Sequence, residues 1–218
     1  MIRIKVLVEG QTEETFVRDN LAPYFYLQEI YITPILIRTS KKFKGGVTRY
    51  SKIHNQVLSL CTEDSTCFVT TLFDYYALPS DFPGKEQISD TMLLTQVIEK
   101  LEDAFAKDIN RPRQFIANLV VHEFEALLFS DVSQFKNTVT DKDKDINLLQ
   151  AIRDQFPTPE DINNSPNTAP SKRILKIFPY YKKVLDGSVV AKAIGLDKIR
   201  QECHHFDSWV TRLSQCQR

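Results

Sequence analysis

Three apolar runs in this chain each end on carboxylates, and that pattern limits the fold more than any other feature. The first is Ile2, Ile4, Val6 and Val8, with Leu7 beside them, followed by Glu9. The second is Cys67-Phe68-Val69-Thr70-Thr71-Leu72-Phe73-Asp74. The third is Phe115-Ile116-Ala117-Asn118-Leu119-Val120-Val121, followed by His122-Glu123-Phe124-Glu125. Short runs rich in β-branched and aromatic residues read as buried strands. Between them, apolar residues recur at helical spacing: Phe16, Val17 and Leu21, then Ile53, Val57 and Leu60, then Leu94, Val97, Ile98, Leu101 and Phe105. Strands alternating with helices predict a mostly parallel sheet covered on both faces. In such a sheet all three acidic ends point to one edge, where open α/β sheets hold ligands.

Carboxylates gathered at one edge repel one another unless a cation neutralises them. An oxygen-rich, sulfur-free set suits Mg²⁺ or Mn²⁺. Glu9, Asp74, Glu123 and Glu125 are therefore candidate ligands of an acidic divalent-metal site. Positions two apart on a helix face different directions, so one of Glu123 and Glu125, with Glu123 slightly favoured, is expected to face the site unless the helix starts after Glu125. Gly10 reads as a tight turn and Thr12 as the N-cap of a helix over residues 13–21 that stops near Pro23. Glu13 and Glu14 then sit in the first turn, where acids suit the helix dipole. Glu13 is also a candidate for the metal edge.

The 218 residues, 42% of them hydrophobic, suffice for one ample core or a core with a helical annex. Residues 1–140 read as the α/β core and residues 141–218 as a helical extension packed on it. No apolar run is long enough to span a membrane. A first strand beginning at Ile2 leaves no room for a signal peptide. Cys61, Cys67, Cys203 and Cys216 show no Cys-x-x-Cys pairing and read as free thiols of a cytoplasmic protein. Net charge is zero, which argues against a generally cationic nucleic-acid binder. Two segments are locally basic. One has no acid between Glu29 and Glu63 but holds Arg38, Lys41, Lys42, Lys44, Arg49 and Lys52. The other has none between Asp161 and Asp186 but holds Lys172, Arg173, Lys176, Lys182 and Lys183. Basic segments beside an acidic edge suit a phosphate backbone brought to a metal, although charge runs are as often solvated faces.

Residues 30–37 alternate loosely around Pro34, which places this strand at a sheet edge. Tyr75 and Tyr76 open an aromatic, proline-broken loop that reads either as a substrate wall or as core packing. Ser171 begins a short basic helix that Thr168 or Ser171 caps, and its N-terminus beside Lys172 and Arg173 suits phosphate. Several metal motifs are excluded. His122-Glu123-Phe124-Glu125 lacks the second histidine of a zinc-protease helix. Asp141-Lys142-Asp143-Lys144-Asp145 lacks the glycine and closing glutamate of a calcium loop. Cys203-His204-His205 has no fourth zinc ligand in sight and reads as a surface cluster.

Val8-Glu9-Gly10-Gln11-Thr12-Glu13 after a first strand resembles the opening of a Toprim domain. The whole chain is similar to the Toprim-like bacterial family catalogued as domain of unknown function 4276, which is related to the Toprim domain of OLD-type nucleases. The similarity rests on that opening, on Phe73-Asp74-Tyr75-Tyr76, Asp81-Phe82-Pro83-Gly84, His122 to Asp131, and Thr168-Ala169-Pro170-Ser171-Lys172-Arg173. It extends through Gly195-Leu196-Asp197-Lys198-Ile199-Arg200 and His205-Phe206-Asp207.

The resemblance implies an α/β, Toprim-like, mostly parallel sheet sandwiched by helices, with a C-terminal helical extension. It implies Glu9 as metal ligand or general acid/base, and Asp74 as the first acid of an Asp-x-Asp pair whose second position is Tyr76 here. Asp81, Glu123 or Glu125 would then supply the missing ligand, with Glu13 completing a two-metal site. Lys44, Arg49, Tyr76, Lys172 and Arg173 are the expected substrate-binding residues. The implied activity is metal-dependent phosphodiester hydrolysis on DNA or RNA, in phage defence, with a separate ABC-type ATPase as partner and a homodimer as assembly. The alternative is a non-catalytic module that docks on such an ATPase or senses nucleic acid.

Overall fold

A computed structural model describes residues 1–37, 49–89, 91–138, 143–163 and 167–217. Strands β1 (Ile2–Val8) and β3 (Phe68–Asp74) form the centre of a parallel sheet. Strand β2 (Ile30–Leu36) pairs with the outer side of β1, and β4 (Phe115–Ile116) with the far side of β3. Strand β5 (Leu119–Val120) also pairs with β3, further along. The order is β2-β1-β3-β4, and β2 with its Pro34 lies at the edge, as the sequence predicts. An edge strand tolerates proline because one side of its ladder is unused.

Successive strand residues face opposite sides of a sheet. Ile4, Val6 and Val8 accordingly enter one buried cluster and Leu7 the other. The first face is covered by α1 (Gln11–Phe16), α2 (Ala22–Tyr26) and the C-terminal helices α5 (Asp143–Arg153), α6 (Pro170–Ile177), α7 (Lys183–Ile194), α8 (Leu196–Glu202) and α9 (His204–Ser214). The second is covered by α3 (Tyr50–Glu63) and α4 (Leu94–Ile109). Trp209 is fully buried on α9, and its indole Nε1 donates to Thr70 Oγ1 at 2.9 Å, fixing the last helix to β3. The chain is thus an α/β fold with helices on both faces and a helical C-terminal region. None of its described helices is long and apolar enough to cross a membrane.

Two elements differ from the sequence reading. The first helix does not stop near Pro23. It passes through a π-helical turn, Val17–Leu21, and continues to Tyr26. Proline lacks an N–H and crowds the carbonyl four residues back, and a wider turn ahead of it relieves both. The third strand is split at Ala117 and Asn118. Asn118 Nδ2 donates to Thr71 O at 3.0 Å, and Thr71 Oγ1 donates to Asn118 O at 2.6 Å. Side chains here replace two rungs of the backbone ladder.

Helix α7 approaches α1 and the turn Phe124–Ser130 closely at Gly187. A Cβ there would lie 2.8 Å from Tyr181 Oη and 3.5 Å from Phe124. Alanine ordinarily stabilises a helix interior relative to glycine. At Gly187 the overpacking wins, because Tyr181 is buried and Phe124 and Leu128 crowd the same point. Gly187→Ala is expected to lower stability by about 1–3 kcal/mol in urea unfolding.

Candidate functional site

The sheet brings its acids together through register. Val8 pairs with Leu72, so Glu9 leaves β1 beside Asp74, the last residue of β3. Asp74 pairs with Val120, which puts Glu123 just past the same edge. Glu13 sits one turn into α1, buried against these residues, and its Oε2 accepts from Gly10 N at 3.0 Å. Gly10, and not Thr12, is the N-cap of α1. Its φ of −144° is ordinary extended backbone, so no turn demands glycine here. What favours glycine is space, since a Cβ would meet Glu13 Oε2 at 3.2 Å.

Glu123 and Glu125 both reach the site, which the helical reading did not foresee. His122 is left-handed with φ 65°, and Glu123 is extended with φ −153° and ψ 161°. The following 3-10 turn then carries Glu125 back toward the same point. Lys183 Nζ lies 3.1 Å from Glu125 Oε1 and 3.8 Å from Glu123 Oε2. Glu123 Oε2 accepts from Ser171 Oγ at 3.0 Å, and Glu123 Oε1 accepts from Ser171 N. So the cap of α6 is supplied by Glu123, not by Thr168 or Ser171 as the sequence suggested.

The electrostatics are those of a crowded, dehydrated acidic cluster. Burial and the neighbouring Glu13 push the Glu9 carboxyl up to about 8, against a hydrogen bond from the Asp74 backbone. Burial raises Asp74 well above the carboxylate range, and the charges of Glu13, Glu9, Glu125 and Glu123 raise it further. Burial raises Glu13, opposed by hydrogen bonds from backbone N–H groups and by Lys183. Glu125 is pushed up to about 7, since burial outweighs its ion pair with Lys183. Burial pulls the Lys183 ammonium down, but Glu125 and Glu123 outweigh it and hold the group charged. Like charges that raise one another in this way are attractive to a cation.

The donor set suits a hard divalent cation in chemistry: it is oxygen only and mutually repelling. The placement is not that of a finished coordination shell. Among the described residues no three His, Cys, Asp or Glu side chains are set to hold one ion. Glu13, Glu123 and Glu125 instead have partners within the chain, and Asp74 Oδ1 accepts from Phe124 N at 2.9 Å.

The remaining candidates divide. Tyr76 is exposed at this edge, its ring 5.3 Å from that of buried His122. Lys172 is exposed beside Ser171. Arg173 turns away: its Nε donates to Thr168 O at 2.7 Å and its guanidinium lies over the Phe156 ring. Asp81 does not join the acids. It caps α3, accepting from Tyr50 N at 2.8 Å, with exposed Arg49 at the same helix end. Lys44 lies outside the described residues. Of the Cys203-His204-His205 segment only His204 is exposed at the surface. Cys203 is fully buried, and His205 Nε2 lies 2.9 Å from Glu102 Oε1 of α4, with Arg212 3.5 Å from the other oxygen. Sequence reasoning missed Lys183, Ser171 and Tyr181 as neighbours of the acids. The available signal was the acid-free stretch between Asp161 and Asp186, from which all three come.

Fold and site together define a parallel α/β protein with buried, mutually repelling carboxylates at the carboxyl edge of its sheet. The chain belongs to the family described as Domain of unknown function (DUF4276), whose model matches residues 8–214. Among solved structures it is similar to the C-terminal region of the Xanthomonas campestris pv. campestris OLD protein, at 14% identity and a TM-score of 0.42, over 97% of this chain and 98% of that one. No curated protein matches the chain in sequence.

Proposed function

We propose that this chain is a metal-dependent phosphodiesterase of the nuclease kind, working at the acidic sheet edge with Mg²⁺ or Mn²⁺. The observation that supports the reading most is the set of Glu9, Glu13, Asp74 and Glu125, each raised above the usual carboxylate range in one small volume. Keeping such acids together costs stability, and a site that recovers it on binding a cation is the simplest account. Asp74, Glu123 and Glu125 would hold the ion, the last two after leaving Ser171 and Lys183. A bound divalent ion supplies Lewis acidity and an activated water for phosphate-ester hydrolysis. Glu9, with its carboxyl near 8, is matched to accept or release a proton around neutral pH. With Glu125 on the ion, the Lys183 ammonium would be free to pair with a phosphate oxygen, and exposed Lys172 and Tyr76 would assist its approach.

The test is calorimetric titration of Mn²⁺ into the full chain and its Glu9→Gln and Asp74→Asn variants, followed by cleavage assays on DNA and RNA. The wild type is expected to bind one or two equivalents and to cleave. Each variant is expected to lose binding and at least about a hundredfold of the rate. Unchanged Mn²⁺-dependent cleavage in both variants sinks the proposal. A second reading draws on the partners that Glu123 and Glu125 already have and on Tyr76 at the Asp-x-Asp position. It is a non-catalytic module docking on a separate ATPase, favoured if the wild type binds no Mn²⁺ even with nucleic acid present.

Because Glu123 caps α6, the reading couples metal to that helix. Ser171→Ala removes one of the two hydrogen bonds that hold Glu123. It is expected to tighten Mn²⁺ binding about two- to tenfold while lowering stability by about 0.5–1.5 kcal/mol.

A further inference from the structure

A second site lies at the opposite end of the sheet. A cavity of about 710 Å³ opens between the start of β3, the start of β4 and the end of α9. Strands rise about 3.3 Å per residue, so the two ends of β3 stand roughly 20 Å apart, and this cavity is separate from the acidic edge. Phe68, Pro112 and Ile116 give it apolar walls, Gln114 adds an amide, and Arg113 and Arg212 are its charged residues. No acid lines it. The two arginines thus give the cavity a positive charge in a chain whose net charge is zero.

Neither arginine is fully occupied. Arg113 is exposed and makes no hydrogen bond or ion pair with any described residue. Among the described residues Arg212 reaches an acid only through Nη2, at 3.5 Å from Glu102, and its side chain is 41% exposed. Cavities of this size with apolar walls and a few convergent polar groups are the usual form of small-molecule sites.

We propose that this cavity binds a small organic anion, an apolar body carrying a sulfonate, phosphate or carboxylate. The walls would take the apolar body, and the guanidinium groups of Arg113 and Arg212 would take the anionic group. The apolar walls disfavour a bare inorganic ion, and the unpaired arginines disfavour a neutral ligand. Charge-assisted hydrogen bonds are the stronger kind, so the anion decides affinity and the body decides fit.

Anilinonaphthalene sulfonate has this chemistry and reports its own binding by fluorescence. Titrated into the full chain, it is expected to show one saturable site. The neutral N-phenylnaphthylamine is expected to bind at least about tenfold more weakly. Arg113→Glu is expected to weaken the sulfonate about tenfold or more, and Ser65→Trp, at the exposed rim, to abolish binding by filling the mouth. Both positions are exposed, so melting temperatures close to wild type accompany these losses. Absence of saturable binding by the wild type overturns the proposal. So does binding unchanged in both variants, or a neutral probe that binds as tightly as the sulfonate.

Discussion

In metal-free buffer at about pH 8.5, Glu9→Gln is expected to melt about 4–10 °C above the wild type, although it removes a residue of the candidate site. The reason is linkage. The Glu9 carboxyl sits near 8 in the folded chain and near its ordinary 4.5 in the unfolded one. Below 4.5 both states hold the proton and Glu9 does not affect stability. Between 4.5 and 8 the unfolded chain gives up a proton that the folded chain keeps, so stability falls as pH rises, and it levels off above 8. The full shift corresponds to roughly 5 kcal/mol by the linkage relation. Relaxation and water at a half-buried site reduce that to about 2–3 kcal/mol. Glutamine keeps the acceptor for the Asp74 backbone and carries no charge. The gain is therefore expected to vanish by about pH 5 in thermal melts across the range. With Mn²⁺ present the order reverses on the proposed reading, since the wild type gains binding energy that the variant lacks. A variant no more stable than wild type at high pH would show that the acids are not strained.

Lys183→Met is the complementary change, and it destabilises. The ammonium lies 3.1 Å from Glu125 Oε1, and Glu125 is only 2% exposed. Breaking a buried ion pair from one side costs about 3–5 kcal/mol. The lysine side chain is 44% exposed, so solvent screens part of the pair and about 2–3 kcal/mol is expected at pH 8. Without Lys183 the Glu125 carboxyl rises further above 7. The folded chain then keeps a proton more firmly, and the loss shrinks as pH falls toward 6. Urea unfolding at the two pH values checks the trend. Adding Glu125→Leu to Lys183→Met removes the stranded charge and is expected to restore most of the stability. If the loss relative to wild type is the same at both pH values, Lys183 is a surface residue and no counter-ion to the cluster.

The strand-end acids were legible because strand chemistry is local. The alternation of Ile4, Val6 and Val8 with Leu7, and the acid after each apolar run, place Glu9, Asp74 and Glu123 at one edge once the sheet is parallel. Pro34 likewise announces an edge strand. Family membership was also legible, from short motifs spread along nearly the whole chain. Other features were not. The break at Asn118 depends on a side chain matching Thr71, 47 residues away. The path of Glu125 depends on left-handed His122, a conformation uncommon for any residue other than glycine.

Charge partnership was the least legible feature. Asp81, Arg173 and His205 carry the same chemistry as the site residues, yet they are directed to Tyr50, Thr168 and Glu102. Glu123 meets Ser171 across 48 residues of sequence. By itself the sequence determined the layers, the faces of each element and the edge where acids gather, because periodicity and propensity act over a few residues. Tertiary structure alone decided which acid meets Lys183, which caps a helix and which is left to repel its neighbours. Coulomb and hydrogen-bond energies depend on distance in space, and the packing of α6 and α7 against the sheet sets those distances.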